Sequence, residues 1–222
     1  MPYHTCFVDF FLFSFLALFP IINPIGMSSF FLQITNNYSK KEKRQLAFRV
    51  AKYSTYLLII VLLTGSSILH FFGVSLDFIR IAGGLLVAWS AWRSLNNTSP
   101  TGKEEAREVD HGLSNVAFFP LTMPLTAGPG AIAVTIALDT RIEQKFSVVG
   151  IFEYLGIILG IAVVSFFVWF CYAFAEDIFN IIGKTGAKAI TSISSMIILA
   201  IGVGIFWQGL SPLLQALIHK TP

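Results

Sequence analysis

Two short segments of the chain place prolines and glycines inside long apolar stretches. The first reads Asn-Pro-Ile-Gly at positions 23–26, and the second reads Ala-Gly-Pro-Gly at positions 127–130. Proline removes a backbone N–H and clashes with the preceding helical turn, while glycine allows backbone conformations that other residues avoid. Both segments are therefore predicted to interrupt a helix and to leave backbone N–H and carbonyl groups without helical partners.

Such interruptions can bind a ligand without any charged side chain. A helix that restarts after Pro24 or Pro129 presents unpaired N–H groups and the positive end of its dipole, which attract an anion. Carbonyls at the end of the preceding helix attract a cation, so two facing interruptions could hold a small zwitterion. For a single interruption, a proline kink that only improves packing is the simpler interpretation. The residues predicted to form the site are Asn23, Pro24, Ile25, Gly26, Ser28, Thr126, Ala127, Gly128, Pro129 and Gly130.

The segments that carry these interruptions have the composition of membrane helices. Of 222 residues, 55% are hydrophobic and 12% are charged, and the mean hydropathy is +0.74. Soluble domains carry roughly a quarter charged residues, so the composition indicates an all-α integral membrane protein. Six apolar segments are near or above the length that spans a bilayer, at roughly 6–35, 46–72, 74–95, 113–138, 148–174 and 188–218.

A polar linker separates two halves of the chain. Residues 1–95 and 113–222 each hold three predicted spans, and the linker at 96–112 is predicted to lie in the cytoplasm. Because each half has an odd number of spans, two related halves must be inserted in opposite orientations. The chain thus divides into a first three-helix repeat, a cytoplasmic linker and a second three-helix repeat.

The two interruptions fall in the first span of each half. With an offset of 104 residues (124 − 20), Pro20 aligns with Pro124 and Gly26 aligns with Gly130. Chance is the alternative, because glycine and proline are common in membrane helices. Two interruptions at corresponding positions favour an inverted repeat, and paired broken helices are typical of the binding sites of secondary transporters.

Basic residues predict the orientation in the membrane. The loops after the first, third and fifth spans, with their flanks, carry eleven of the fifteen lysines and arginines. The positive-inside rule places these loops in the cytoplasm and both termini outside. The basic segment at 40–44 could also attract anionic lipid, although its role in setting the orientation already accounts for it.

An acidic and a basic residue lie near the start of the predicted third span. Asp77 and Arg80 lie three residues apart, on one face of a helix, and could form an ion pair. Charge inside the membrane is associated with function, such as gating. An arginine near the end of a span can equally reach the interface with Asp77 as its partner, and the sequence leaves both interpretations open.

The remaining polar residues show no pattern of catalysis or metal binding. The four histidines are scattered at span ends or in loops, without metal-ligand spacing. No Ser/His/Asp set, Cys/His set or phosphate-binding loop is recognisable. No enzyme activity, metal, cofactor or nucleic-acid partner is therefore predicted. Asp9, Asp139 and Glu153 are expected near the outer interface, so no coupling ion is assigned.

A Gly-x-x-x-Gly pattern occupies positions 156–160 in the fifth span. Small residues at this spacing let two helices approach closely. The pattern predicts a helix contact, either within the bundle or between subunits of a homo-oligomer.

Three segments of the chain closely resemble the signatures of a known family. They read NPIGMSSFFLQIT, FGVSLDFIRIAGGLLV and PLTMPLTAGPGAIAVTIAL. On these motifs the chain resembles the MarC family of bacterial inner-membrane proteins, including its YchE-like branch. The resemblance covers nearly the whole chain. It implies six spans in two repeats, a place in the bacterial inner membrane and a relationship to transporters of small neutral amino acids.

One segment departs from the family pattern. In the sixth span, family members usually carry an Arg-Ile-Met-Gly-like sequence that mirrors Arg-Ile-Ala-Gly at 80–83. Here the equivalent residues 192–195 read Ser-Ile-Ser-Ser. The chain therefore keeps the arginine in one half only, which argues against a role that needs a symmetric pair of cations.

Two functions are consistent with these observations. The first is a secondary transporter of small polar metabolites, such as neutral amino acids, that binds its solute at the facing helix ends and rocks one repeat against the other. The second is a non-transporting membrane protein, such as a scaffold or an enzyme acting on a lipid-linked substrate. An intramembrane enzyme would need converging acid, base or metal ligands, and the sequence shows none. The expected partners are a small-molecule solute and the lipid bilayer.

Overall fold

The chain forms a helical bundle. The structure is a computed structural model that describes residues 3–96, 113–142 and 147–218, and every regular element in these ranges is helical. After Asn96, the linker predicted at 96–112 lies outside the described residues. The first half contains α1 (Tyr3–Ile22), α2 (Pro24–Ile34), α3 (Lys40–Phe71) and α4 (Leu76–Asn96). The second half contains α5 (Leu113–Val116), a π-helix at Ala117–Thr126 that we call the wide-turn segment, α6 (Pro129–Asp139), α7 (Val148–Ala173) and α8 (Ala175–Ile218).

Local hydrogen bonds and glycines set the ends of the long helices. Ser39 and Glu42 form a reciprocal capping box at the start of α3, in which each side chain accepts from the backbone of the other. Ser147 caps α7 by accepting from a backbone N–H in its first turn at 3.0 Å. Gly73 (φ 66°) follows α3 and Gly183 (φ 74°) kinks α8, and both adopt positive φ values that favour glycine.

Four helical runs in the described residues are long and apolar enough to cross a bilayer. They are Cys6–Ile34, Lys40–Phe71, Val148–Ala173 and Ser192–Ala216. A fifth span arises if Ser114–Thr126 and Pro129–Asp139, which meet at an angle of 67°, are counted as one. The helix α4, which carries Asp77, Arg80 and Arg93, is not one of these runs. By length and composition, the described residues thus provide four or five of the six expected spans.

Many large apolar side chains are exposed on the outer surface of the bundle. Large side chains such as Leu16 and Phe166 are more than half exposed, at 65% and 55%. Exposure of so many large apolar side chains is rare on soluble monomers and typical of contact with a membrane. A single main core lies between α1, α3, the wide-turn segment and α7. Its fully buried members include Leu18, Leu58, Leu62, Leu121, Ile157 and Ile161.

Helix α1 packs along α7 in a parallel sense. Gly156 of α7 lies against the backbone of Phe7 and Phe11, and Gly160 lies against Phe11 and Ser14. Residue numbers thus increase in the same direction along both helices. Glycine lets the two backbones approach closely, so the Gly-x-x-x-Gly pattern forms a contact within one chain.

A second parallel contact joins α3 to the first span of the second half. Arg49 donates a hydrogen bond to Ser114 at 2.7 Å. Further along, Gly65 lies against the side chain of Ile136 in α6. The wide-turn segment and α6 therefore follow α3 along most of its length.

Helices α4 and α8 pack against each other in an antiparallel sense. A Cβ on Gly84 would lie 2.7 Å from the carbonyl oxygen of Gly202, and one on Gly202 would lie 2.6 Å from the nitrogen of Ala88. A Cβ on Gly209 would lie 2.9 Å from Cβ of Arg80. Residue numbers therefore increase along α4 in the direction in which they decrease along α8. In addition, α2 contacts α8 and α6 contacts α4.

Candidate binding site at the helix interruptions

The first interruption is a single left-handed residue, Asn23, between α1 and α2. Its φ of 46° and ψ of 62° take the chain out of the helical path for one residue. Asparagine is one of the few residues that tolerate this conformation. Helical hydrogen bonds continue on both sides, because the Asn23 N–H donates to Phe19 and the Asn23 carbonyl accepts from Met27, each at 2.9 Å. Consequently Cys6–Ile34 remains one span of 29 residues.

The side chain of Asn23 fills the start of α2. Its Oδ1 accepts a hydrogen bond from the N–H of Gly26 at 3.2 Å. A Cβ on Gly26 would overlap the Asn23 amide group, so this cap requires glycine at position 26. Ser28 and Ser29 donate their hydroxyls to the carbonyls of Ile25 and Gly26 in their own helix. The asparagine side chain thus caps its own helix. At least one of the N–H groups that the sequence predicts to be free at the start of α2 is therefore already hydrogen-bonded.

The second interruption is much larger. In the wide-turn segment Ala117–Thr126, the hydroxyls of Thr122 and Thr126 each donate to a carbonyl five residues earlier, at 2.7 Å. The N–H of Ala127 likewise donates to the carbonyl of Thr122 at 2.8 Å. The chain then bends by 67° before Pro129, where α6 begins. This bend is the interruption that the Ala-Gly-Pro-Gly segment predicts.

The start of α6 has no side-chain cap. Gly128 occupies the cap position, and its carbonyl accepts from the N–H of Ile132 at 3.1 Å. Pro129 has no N–H, and the next two N–H groups, those of the buried residues Gly130 and Ala131, have no acceptor within the helix. Unlike α2, this helix presents its first turn without a side chain that competes for it.

The two interruptions lie side by side. A Cβ on Gly130 would overlap the side chain of Val87 in α4, and it would lie 3.5 Å from Cγ2 of Ile21 in the last turn of α1. The end of α1, the start of α6 and the middle of α4 therefore meet at Gly130, where only glycine leaves enough room.

Tyr172 of α7 joins the second interruption to α2. Its hydroxyl lies 3.0 Å from Oγ1 of Thr126, and its ring stacks on Phe31 with the centroids 4.7 Å apart. All three side chains are buried. Tyr172 is not among the site residues predicted from the sequence, where its only signal is a hydroxyl group in a largely apolar helix.

Burial divides the predicted site residues into two groups. Asn23 and Gly128 are partly exposed, and Ile25 and Pro129 are exposed. These four are the members of the predicted site that are accessible at the surface of the described bundle. The buried residues of the predicted site are Pro24, Gly26, Ser28, Thr126, Ala127 and Gly130.

Asp77 and Arg80 form the ion pair that their spacing predicts. Nη1 of Arg80 lies 3.2 Å from Oδ1 of Asp77, and about a quarter of each side chain is exposed, 25% and 27%. The pair lies where Gly209 of α8 packs on α4. One helical turn further along α4, Gly83 packs against Ala133 of α6. The pair thus belongs to the contact between α4 and α8 and lies beside the contact between α4 and α6.

A buried carboxylate lies at the far end of α6. Asp139 is 1% exposed, and its Oδ1 accepts a hydrogen bond from the hydroxyl of Tyr154 at 2.6 Å. The sequence places Asp139 near an interface and does not show this burial, which arises from the packing of α7. Among the residues that the structure describes, no group of three or more His, Cys, Asp or Glu side chains could hold a metal ion.

Comparisons with known proteins identify the family. Residues 8–214 match the sequence profile of the MarC family of integral membrane proteins. A membrane protein of Buchnera aphidicola subsp. Schizaphis graminum is 32% identical over 206 residues, covering 92% of this chain and 93% of the relative. A membrane protein of Aquifex aeolicus is 30% identical, covering 91% and 92%. The inner membrane protein MarC of Salmonella typhimurium is 29% identical, covering 90% and 93%. No solved structure gives a significant match.

The matched region extends from α1 into α8 and contains both interruptions. The family expected from the three motifs is therefore confirmed, whereas the match does not single out the YchE-like branch. A relative named as an inner membrane protein agrees with the apolar outer surface of the bundle. This chain belongs to the MarC family of integral membrane proteins.

Proposed function

We propose that this protein is a secondary transporter of small polar solutes, such as neutral amino acids, and that the open start of α6 is the centre of its solute site. The observation that carries the proposal is the 67° bend before Pro129, inside an apolar run. Backbone groups freed by such a bend cost several kcal/mol in hydrocarbon unless protein, water or a ligand satisfies them. A bend at this position is expected to border a polar cavity.

The start of α6 suits a carboxylate group. The N–H groups of Gly130 and Ala131 and the positive end of the helix dipole favour an anion. Gly128 has no side chain that competes for these groups, whereas Asn23 occupies the equivalent position in α2. A zwitterionic solute would place its carboxylate here and its ammonium group at carbonyl oxygens near the end of α1, which Ile21 brings beside Gly130.

Helix contacts support an inverted repeat of six spans in which α4 is the third. The symmetry of this repeat would exchange α1 and α2 with the wide-turn segment and α6, α3 with α7, and α4 with α8. It leaves the pattern of contacts unchanged: α1 packs on α7 as the wide-turn segment packs on α3, and α2 contacts α8 as α6 contacts α4. Both α2 and α6 have 11 residues and begin at a proline, Pro24 and Pro129. The two prolines are 105 residues apart (129 − 24), one residue more than the offset of 104 in the motif alignment.

The directions of the helices support the same symmetry. Helices α4 and α8, which exchange with each other, run antiparallel. A twofold axis relates two antiparallel helices when it is perpendicular to them, and for membrane spans this axis lies in the membrane plane. That is the symmetry of inverted-repeat transporters, in which rocking of one repeat gives alternating access. With six spans, the positive-inside rule places both termini outside.

Flux measurements in proteoliposomes test the proposal. The purified chain is reconstituted, and a panel of radiolabelled neutral amino acids is followed with and without an imposed pH gradient. We expect saturable flux of at least one solute, and loss of that flux in Gly130→Ala. Gly204→Ala is the matched control, because a Cβ on Gly204 meets no atom within 4 Å. A flat panel with folded protein contradicts transport and favours a non-transporting membrane protein.

A further inference from the structure

A basic cleft lies at the start of α3, on the side that meets the last part of α7. Its volume is about 710 Å³, and its lining includes Lys40, Lys41, Arg44, Phe48, Arg49 and Trp169. Four of these side chains are cationic, and none of the described residues that line the cleft is acidic. The cleft therefore has the charge to bind an anion, and two aromatic walls beside that charge.

Nearby acidic residues neutralise only part of this charge. At the start of α8, Glu176 and Asp177 lie 3.8 Å and 3.5 Å from Nζ of Lys40, and Glu176 also pairs with Lys43. The two carboxylates thus neutralise the charges of two lysines, Lys40 and Lys43. The cleft cations that form no ion pair with a described acidic residue are Lys41, Arg44 and Arg49.

Two of the cations are held in place before any ligand binds. The guanidinium of Arg49 donates to Oγ of Ser114 at 2.7 Å, and that of Arg44 lies over the ring of Phe174, 5.1 Å from its centroid. Fixed guanidinium groups suit phosphate, because their planar donors match two of its oxygens at once. The cleft is a built site for a phosphate group and not merely a row of mobile lysines.

The aromatic wall continues onto the apolar exterior. Phe48 is 59% exposed. The ring of Trp169 lies 5.6 Å, centroid to centroid, from that of Phe166, which is on the preceding turn of α7 and is 55% exposed. Tryptophan beside lysine and arginine is typical of the interface between headgroups and acyl chains. The cleft thus places a phosphate-binding group directly above a surface that acyl chains can cover.

We propose that this cleft binds the phosphate of an anionic phospholipid, with the headgroup at Lys41 and Arg44 and the acyl chains along Phe48 and Phe166. Inorganic phosphate shares the chemistry of the headgroup but would leave the aromatic wall unused. The site does not depend on the transport proposed above, since it shares no residue with the helix interruptions.

Quenching of Trp169 fluorescence tests this proposal on the full-length chain. Trp89, Trp92 and Trp207 are replaced by phenylalanine, so that one of the 4 tryptophans remains. The protein is titrated with phosphatidylglycerol that carries brominated acyl chains, which quench a tryptophan in contact with them. A parallel titration uses phosphatidylcholine with the same chains, so that the two lipids differ only in their headgroups.

We expect phosphatidylglycerol to quench Trp169 at a lower mole fraction than phosphatidylcholine. In Lys41→Gln/Arg44→Gln this preference should fall by roughly fivefold for each cation removed. The charge-conserving Lys41→Arg, which leaves the guanidinium of Arg44 in place over Phe174, should keep it. Lys52→Gln is the matched control, because the ammonium of Lys52 lies over the ring of Tyr56 at 5.7 Å and not in the cleft.

Three results would overturn the proposal. They are equal quenching by the two lipids, an unchanged preference in the neutral double variant, and full displacement of the lipid by millimolar inorganic phosphate. If the double variant loses its helical circular dichroism, the unaltered chain is compared at rising salt concentration. Salt screens a charge-based preference, so its loss supports the proposal and a salt-independent preference overturns it.

Discussion

The hydroxyl of Tyr172 lies 3.0 Å from Oγ1 of Thr126, and both groups are buried. Because the Thr126 hydroxyl donates to the carbonyl of Leu121 at 2.7 Å, the tyrosine is the donor to the threonine. One side chain of α7 therefore fixes the last residue before the 67° bend. The shape of the second interruption depends on this contact as well as on its prolines.

Replacing Tyr172 with phenylalanine removes this donor but keeps the ring that stacks on Phe31. We expect the variant to lose about 1–3 kcal/mol of stability, the usual cost of leaving a buried hydrogen-bonding group without its partner. The free energy of unfolding in detergent measures the effect. Tyr56→Phe is the control, since Tyr56 is 54% exposed. Equal stabilities of the two variants would show that the contact does not hold the bend.

Asn23 combines a left-handed backbone with a side-chain cap, and two substitutions separate these roles. Asn23→Gly keeps the backbone conformation and should cost only a few tenths of a kcal/mol, whereas Asn23→Ala loses both and should cost about 0.5–2 kcal/mol or more. Thermal unfolding should therefore rank the unaltered chain first, glycine second and alanine last. The reverse order of glycine and alanine would contradict the cap.

The close approach at Gly130 predicts a compensating pair of substitutions. Gly130→Ala should destabilise the protein and reduce flux, because the new Cβ overlaps Val87. Val87→Ala removes the overlapping methyl groups, so the double variant should recover much of both. A double-mutant cycle on the unfolding free energy measures the coupling, which is expected to lie between about 0.5 and 3 kcal/mol for residues in contact. Additive effects would mean that α4 does not pack on the start of α6.

Cysteine labelling tests α4 as a span and the orientation of the chain. Single cysteines are placed at Asn37, Phe72 and Asn96, all exposed, in a chain that lacks Cys6 and Cys171. In intact cells, a membrane-impermeant maleimide should label position 72 at once and positions 37 and 96 only after permeabilisation. Labelling of positions 72 and 96 from the same side would remove α4 as a span. Labelling of positions 37 and 96 but not 72 in intact cells would invert the orientation.

The ion pair of Asp77 and Arg80 should contribute little to stability. A partly exposed pair at this spacing is worth about 0–1 kcal/mol, so Asp77→Asn and Arg80→Gln should each unfold close to the unaltered chain. Comparing their unfolding free energies with their flux separates the two interpretations of the pair. Normal stability with lost flux indicates a role in gating, and normal values of both indicate an arginine that reaches the interface.

The sequence predicts the interruptions well because their causes are local. Proline fixes φ and supplies no N–H, so it is favoured at the first position of a helix, and Pro24 and Pro129 both begin helices. Whether a side chain caps each helix start is harder to predict. It depends on the preceding residue, since Asn23 brings its own acceptor and Gly128 brings none.

Contacts between distant segments could not be read from the sequence. The bond between Tyr172 and Thr126 and the burial of Asp139 arise only when α7 packs against the second interruption and α6. The wide-turn segment is an intermediate case. Its prolines at 120 and 124 are visible in the sequence, but the hydroxyl bonds that close its turns depend on the backbone they help to shape.

The difference between Asn23 and Gly128 bears on binding stoichiometry. If α2 and α6 are equivalent elements of the proposed inverted repeat, the start of the first is capped by its own asparagine, whereas the start of the second has no side-chain cap. A repeated pair of broken helices therefore does not imply two solute-binding sites. Isothermal titration should therefore give one solute molecule bound per polypeptide, and a stoichiometry of two would contradict this difference between the two helix starts.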